Sequence, residues 1–145
     1  MFKGSVTPSD PIGFSAYAES SVVYDPSEPI AITGVISNIG NSYNALNSSF
    51  ECPFTGVYLF SLALKGENYY NSEVRILLDG LIIATVTLDS HYHIPTGSTS
   101  VVLECGAGQV VWIQNGDEVL DEDAYIKGGS DRESIFTGYM IHSYE

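Results

Sequence analysis

The stretch that decides the fold reads FTGVYLFSLAL and covers residues 54–64. Successive side chains of an extended chain point to opposite faces, so the large apolar residues at even positions 58–64 share one face. The apolar residues at positions 57, 59 and 63 share the other face. A strand that is apolar on both faces is typical of the interior of a sheet that is covered on both sides.

Similar short apolar segments lie on either side of this central strand. Gly, Pro, Asn and Ser separate them, and none shows the 3.6-residue apolar period of a helix. Asp79-Gly80 is a strong signal for a two-residue hairpin between two of them. The other predicted strands are residues 12–18, 74–78, 81–88, 100–104, 109–114 and 135–142. This many short strands predicts a sandwich, a jelly roll or a barrel.

The composition also indicates an all-β domain. Residues that favour strands (Val, Ile, Thr, Tyr, Phe and Trp) number 50, against 37 that favour helices. The chain has 145 residues, which fits one domain, and its 44% hydrophobic content excludes a disordered acidic tail. No apolar run approaches the roughly 20 residues that would span a bilayer.

The charge balance is strongly acidic. Five Lys and Arg residues face 18 Asp and Glu residues, which gives a formal net charge of −13. So few basic residues cannot form the patch that nucleic acid or an anionic membrane surface requires. The acid excess leaves room for a metal cation, most plausibly calcium, which prefers oxygen ligands.

A set of unusual residues stands in fixed order around the central strand. Their spacing is Asn-x4-Tyr-x6-Phe-x5-Gly-x-Tyr-x-Phe, formed by Asn38, Tyr43, Phe50, Gly56, Tyr58 and Phe60. This spacing resembles the signature of the globular head of complement C1q, within the C1q/tumour-necrosis-factor superfamily. Further similarity lies at residues 14–17, 38–43, 108–112 and 136–139. Ile32 and Leu62 depart from the family pattern, but both are apolar exchanges that leave the fold intact.

The resemblance implies an all-β, ten-stranded jelly-roll sandwich of two antiparallel sheets that assembles as a homotrimer. The C1q-like domain is expected at residues 12–145, after an N-terminal leader at residues 1–11. No collagen-like Gly-X-Y stretch precedes the domain, so we expect a head-only form, similar to those abundant in bivalve molluscs. The N-terminal residues lack the apolar segment of a signal peptide. The chain is therefore either cytosolic or, as the resemblance favours, secreted with its signal removed.

Six aromatic residues supply more aromatic area than one small core needs. The resemblance implies that trimeric subunits bury such residues about a threefold axis. The alternative is that all six belong to the core of a single chain. They are Phe14, Tyr17, Tyr58, Phe60, Phe136 and Tyr139.

The sequence allows two covalent modifications, a disulfide and an N-linked glycan. The resemblance places Cys52 at the start of one inner-sheet strand and Cys105 at the end of its antiparallel neighbour, which makes an intrachain disulfide reasonable. Two buried free thiols are the alternative, and a catalytic thiol is not indicated because no companion base is apparent. Asn47-Ser48-Ser49 forms one N-glycosylation sequon, a weak indication of secretion.

Calcium is the one cofactor that the resemblance suggests, bound through loop acids and carbonyls. Asp89 lies where calcium-binding relatives carry an Asp ligand. Asp117, Asp121 and Asp123 belong to a second acidic loop, whose charges must be solvated or bound to a cation. His91 and His93 would project from one side of a strand, as a zinc or copper pair requires, although exposed polar histidines remain the alternative.

A sugar-binding loop is the last candidate. Tyr69 and Tyr70 stand between Asn68 and Asn71, and Tyr92 lies between the two loop histidines. Aromatic rings stack on sugar faces, and nearby amides bind sugar hydroxyls. A loop packed by its own tyrosines is the alternative.

The resemblance favours a secreted, trimeric, lectin-like pattern-recognition protein of innate immunity. Its ligands would be microbial carbohydrate or lipopolysaccharide, with an anionic ligand bridged by calcium. The alternatives are an acidic extracellular protein that binds calcium or another metal, in biomineral or metal transport, and a receptor ligand of the cytokine type. An enzyme is not expected, because no nucleophile–base pair and no phosphate-binding loop is present.

Overall fold

The computed structural model describes residues 6–117 and 123–145, which form twelve strands and no helix. The first six strands are β1 (Gly13–Tyr17), β2 (Val22–Tyr24), β3 (Gly34–Ile39), β4 (Tyr43–Asn44), β5 (Ser49–Glu51) and β6 (Gly56–Lys65). The others are β7 (Ser72–Leu78), β8 (Leu81–Leu88), β9 (Thr96–Cys105), β10 (Val110–Asn115), β11 (Ala124–Ile126) and β12 (Ile135–Ser143). Nothing in these ranges is a helix long and apolar enough to cross a membrane.

Two five-stranded antiparallel sheets pack face to face. The first sheet has the order β3-β1-β12-β6-β9, and the second has the order β4-β5-β10-β7-β8. Strands β11 and β2 form a separate two-stranded sheet. The ten strands of the two large sheets confirm the predicted jelly-roll sandwich. The central strand of the sequence analysis is β6, which pairs with β12 on one side and β9 on the other.

The core between the sheets is rich in aromatic rings. Phe14 stacks on Tyr43 with ring centroids 4.4 Å apart, and it meets Phe136 edge-on at 4.9 Å. Phe50 contacts Phe60 at 5.6 Å in an edge-on arrangement. Offset stacks and edge-on contacts of this kind add about 0.5–1.5 kcal/mol per pair to the gain from burial. The aromatic cluster therefore holds the first sheet against the second.

The spacing of Asn38 and Tyr43 has a physical reason. The Asn38 side chain donates to the Tyr43 carbonyl at 2.8 Å and accepts from the Tyr43 amide at 3.1 Å. This pair of bonds closes the connection between β3 and β4 and fixes where Tyr43 enters the core. The Tyr43 hydroxyl then donates to the Ile32 carbonyl at 2.6 Å. Burial raises the pKa of Tyr43 to about 12, so the phenol stays neutral.

Two glycines of the sequence motifs are required by close packing. A Cβ at Gly56 would collide with the carbonyl oxygen of His142 on the paired strand β12. A Cβ at Gly138 would lie 2.6 Å from the Phe60 ring and 2.7 Å from the Phe14 ring. Both positions bring backbone against a neighbour more closely than any side chain allows.

Candidate functional site

The outer face of the first sheet carries no charged residue across its three middle rows. Inward and outward residues alternate along each strand, and the outward set is read from the strand register. One row is apolar: Ile39, Gly13, Tyr139, Leu59 and Val102. The next row bears hydroxyls: Ser37, Ser15, Thr137, Ser61 and Ser100. The third row contains Tyr17, Ile135, Ala63 and Ser98.

This uncharged face is unusual in a chain with a net charge of −13. Tyr139 is 45% exposed and Val102 is 57% exposed, so the apolar row is open in the single chain. In the hydroxyl row, Ser15 and Thr137 lie 3.2 Å apart and Ser100 donates to Ser61 at 3.1 Å. These hydroxyls form hydrogen bonds with one another within the sheet, so covering the face would leave few polar groups without a hydrogen-bond partner.

The six predicted interface aromatics fall into two groups. Phe14, Tyr58, Phe60 and Phe136 are at most 2% exposed in the single chain. They lie in the core between the sheets, and the prediction that they meet at a subunit axis is corrected for these four, because one chain already buries them. Tyr139 and Tyr17 remain on the uncharged face, and the Arg132 guanidinium lies 4.7 Å from the centre of the Tyr17 ring.

The distal end of the sandwich, opposite the C-terminus, is built from loops 66–71, 89–95 and 127–134. The register places Lys65 beside Thr96, and Ile135 beside Ala63, so all three loops leave the first sheet at this end. Lys65 forms an ion pair with Glu133 at 2.6 Å, and this contact lowers the pKa of the Glu133 carboxyl. Lys127 approaches the same carboxylate at 3.8 Å. A shallow cavity of about 640 Å³ opens here between residues 63–65, 96–98 and Glu133.

Two exposed tyrosines stand on neighbouring distal loops. Tyr69 is 80% exposed and Tyr92 is 85% exposed. Both have left-handed backbone, with φ of 73° and 69°, which costs a residue with a bulky side chain about 1 kcal/mol or more. The Asn71 side chain joins the loops by accepting from the Ser90 amide at 2.7 Å and from the Ser90 hydroxyl at 3.0 Å.

Tyr70 behaves differently from its neighbour. Its ring packs against that of Tyr125 on β11, with centroids 5.6 Å apart. Tyr70 is half-buried, whereas Tyr69 points away from the body of the protein. The structure therefore leaves Tyr69 and Tyr92 exposed on two loops that the Asn71–Ser90 bonds join, and it uses Tyr70 to anchor the first loop.

The predicted metal-ligating residues do not converge in the part of the chain that the structure describes. Residues 6–117 and 123–145 contain no group of three or more His, Cys, Asp or Glu side chains placed to hold a metal. His91 and His93 lie in a turn rather than on a strand, and His91 has a φ of 34°, so the predicted same-side pair is wrong. Asp89 and Asp123 are exposed, as is Asp117, which has a polar or charged partner. Asp121 lies outside the described residues.

Cys52 and Cys105 are both buried and both carry free thiols in this structure. Cys52 follows β5 of the second sheet, whereas Cys105 ends β9 of the first, so they are not on neighbouring strands of one sheet as expected. The hydrogen bond with Cys105, together with burial, raises the pKa of the Cys52 thiol. Cys52 is therefore protonated, which does not suit a catalytic nucleophile.

Asn47 lies in the exposed turn between β4 and β5. The Ser49 hydroxyl donates to the Asn47 side-chain oxygen at 2.6 Å. This turn belongs to the second sheet, away from the uncharged face of the first. The sequon is thus accessible without obstructing that face.

A family model for the C1q domain matches residues 13–141. The chain belongs to the C1q-domain family. The match begins at the first residue of β1 and ends within β12, so it includes both large sheets. The resemblance drawn from the sequence motifs is therefore confirmed.

Curated relatives and solved structures agree with this membership. Complement C1q tumor necrosis factor-related protein 3 of Mus musculus is 26% identical over 114 residues, or 77% of this chain. Its Homo sapiens counterpart matches to the same extent. The chain spans only 44% of the length of either relative.

Two solved structures show the same fold at low sequence identity. The globular domain of zebrafish complement 1qA protein is 17% identical, with a TM-score of 0.70 over 91% of this chain and 98% of that one. Eiger TNF from S. frugiperda is 10% identical, with a TM-score of 0.72 over 94% and 96%. The jelly roll is thus shared with both the C1q and the TNF branches.

Proposed function

We propose that the chain acts as a trimeric, secreted, lectin-like recognition protein that binds microbial carbohydrate or lipopolysaccharide. The observation that carries this proposal is the uncharged outer face of the first sheet. A second copy of the chain is the natural occupant, because the apolar row and the hydroxyl row offer exposed apolar side chains and self-satisfied hydroxyls, and neither row contains a charged residue to desolvate. A C1q-domain protein is expected to form a homotrimer and to act by binding rather than by catalysis.

Trimerisation turns a weak binding surface into an effective one. Three copies on one rigid body bring the distal loops together on one side of the assembly. Once one copy has bound a repetitive surface, the others bind at a raised effective concentration, so avidity exceeds the affinity of each site. A microbial glycan coat offers the repeated ligand that this arrangement needs.

The protein's own charge determines how an anionic ligand could bind. With −13 per chain, a phosphorylated ligand such as lipopolysaccharide meets repulsion unless a cation lies between. Calcium is the proposed bridge, through exposed carboxylates such as Asp89 on a distal loop, Asp117 and Asp123. Neutral glycans would not need it.

The test is retention on immobilised lipopolysaccharide and on an array of neutral microbial glycans, with calcium and with a chelator. The proposal predicts retention on at least one surface, with chelation reducing binding to lipopolysaccharide. Retention on neither surface, with or without calcium, would contradict the recognition function. If the protein takes up calcium in calorimetry but binds no carbohydrate, the acidic calcium-binding alternative is favoured.

A further inference from the structure

We propose that Tyr69 and Tyr92 form a saccharide-stacking platform on the distal end, with Asn71 as the residue that positions them. This inference rests on the proposed recognition function and names its ligand-binding site. The ligand class is a pyranose sugar with an open C–H face, whether carried by a polysaccharide or by the glycan part of lipopolysaccharide.

The backbone conformation is the first argument. Left-handed backbone suits Gly best, and Asn or Asp next, because their side chains tolerate it. The chain has Tyr at both places, with φ of 73° and 69°, and leaves both rings largely in solvent. A ring that is held at such a backbone position and stays outside the core is available to contact a ligand.

The connection between the two loops is the second argument. Tyr69 lies two residues before Asn71, and Tyr92 lies two residues after Ser90. The Asn71 side-chain oxygen accepts both the amide and the hydroxyl hydrogen bonds of Ser90. Two residues of chain reach at most about 7 Å, so this clamp limits how far apart the backbones of the two tyrosines lie. A backbone bond from Gly66 to Pro95, of 2.9 Å, ties the same loops at their base.

The chemistry of a phenol ring is the third argument. The electron-rich face of the ring attracts the C–H groups of a pyranose, while the hydroxyl at its edge hydrogen-bonds to sugar hydroxyls. Tyrosine has few rotatable bonds, so ordering it on binding costs little entropy. The His91 ring packs edge-on against Tyr92, with centroids 5.8 Å apart, which further restricts that ring.

Substitutions to Gly separate binding from folding at these two positions. Tyr69→Gly and Tyr92→Gly relieve left-handed strain, so the melting temperature is expected to stay the same or to rise by about 3 °C. Retention on immobilised lipopolysaccharide and on yeast mannan is expected to weaken about tenfold or more, since each loss is repeated in three subunits. Tyr144→Gly is the matched control, because Tyr144 is 54% exposed at the opposite end.

Asn71 provides a second pair of variants. Asn71→Ala removes the acceptor for both Ser90 bonds and is expected to weaken retention while both rings are present. Asn71→Asp keeps an oxygen at the same position, so its retention is expected to match that of the wild-type protein. Equal loss in both variants would show that Asn71 does not act through the clamp.

The remaining outcomes distinguish this inference from the function on which it rests. If the wild-type protein binds neither surface, the recognition function itself fails. If it binds and the two distal Gly variants bind equally well, only the tyrosine platform is overturned. A sharp fall in the melting temperature of either distal variant, or an equal loss in Tyr144→Gly, would also overturn it.

Discussion

Asn38 shows how one side chain sets the position of a much larger one. Its side-chain amide bonds to both the backbone amide and the carbonyl of Tyr43 at the β3–β4 connection. These bonds fix the position from which the Tyr43 ring enters the aromatic core. The motif residues Asn38 and Tyr43 are therefore explained by structure rather than by ligand binding. The same holds for Gly56 and Gly138, whose missing side chains allow close contact.

Replacing Asn38 with Ala is expected to destabilise the domain by about 1–3 kcal/mol. Both side-chain hydrogen bonds disappear, and the Tyr43 amide and carbonyl lose their partners. Chemical denaturation measures the change, with Asn44→Ala as the control, since Asn44 is exposed and its side-chain oxygen accepts a bond from the Leu46 amide. Equal stability of the two variants would show that the connection does not depend on Asn38.

The buried phenols predict sensitivity to alkali. Burial raises the pKa of Tyr43 to about 12 and that of Tyr58 to about 12, whereas an exposed phenol ionises near 10. Between these values the unfolded state releases protons that the folded state keeps, so stability falls as the pH rises through this window. The loss is roughly 1.4 kcal/mol per pH unit for each phenol. Below pH 10 the full contribution remains.

Unfolding curves across that range, read with tyrosinate absorbance, test this expectation. Tyr43→Phe should have lower stability at neutral pH but a shallower alkaline decline. A decline that is just as steep in this variant would exclude Tyr43 as the cause.

At the scale of elements, Cys52, which follows β5 of the second sheet, contacts Cys105, which ends β9 of the first. Two buried thiols in hydrogen-bonding contact, in a protein proposed to be secreted, are suited to a disulfide. Thiol–disulfide exchange with oxidised glutathione would form it: the two cysteine thiols give up two electrons and two protons, and the glutathione disulfide takes them up to become two glutathione thiols. The cross-link would close a loop of roughly 50 residues and stabilise the fold by up to about 4 kcal/mol.

Refolding in a glutathione redox buffer is expected to give a product without free thiols, whose melting temperature exceeds that of the reduced protein by roughly 5–10 °C. Cys52→Ser and Cys105→Ser should each melt at the same temperature in oxidising and reducing buffer. Two titratable thiols in the unfolded, oxidised wild-type protein would contradict the cross-link.

The sequence predicts those elements whose side chains carry a strong pattern. Residues 54–64 identified β6 because this strand is apolar on both faces, and Asp79-Gly80 marked the β7–β8 hairpin. Strands β2 and β11 have three residues each, too few for a period, and β3 includes the polar residues Ser37 and Asn38, which interrupt its apolar pattern. The His91 and His93 prediction failed because it assumed a strand where the chain turns.

The candidate site was only partly visible in the sequence. Tyr69 and Tyr92 were recognised as loop aromatics, but no pattern reveals that Asn71 and Ser90 join their loops. The uncharged face was also hidden, since it is assembled from single residues of five strands. Its members become neighbours only through the register, and four of the six aromatics predicted at the interface lie in the core.

At the scale of the whole molecule, charge and association are linked. A charge of −13 per chain becomes −39 on a trimer, and subunit repulsion must be reduced by salt or by bound cations. If cations join the subunits, the trimer should dissociate more readily after chelation and at low ionic strength. Sedimentation at several salt and calcium concentrations tests this expectation. If neither changes the stability of the trimer, the excess of acidic residues serves solubility alone.

The most direct test of the central claim is the mass of the protein in solution. The uncharged face predicts a trimer of about 47 kDa by light scattering, three times the chain mass of 15.7 kDa. Tyr139→Glu places a charge on the middle strand of that face and is expected to give monomers, whereas Ile82→Glu, at a 53% exposed position on the second sheet, should leave the trimer intact. A monomeric wild-type protein, or a Tyr139→Glu variant that remains trimeric, would contradict the account.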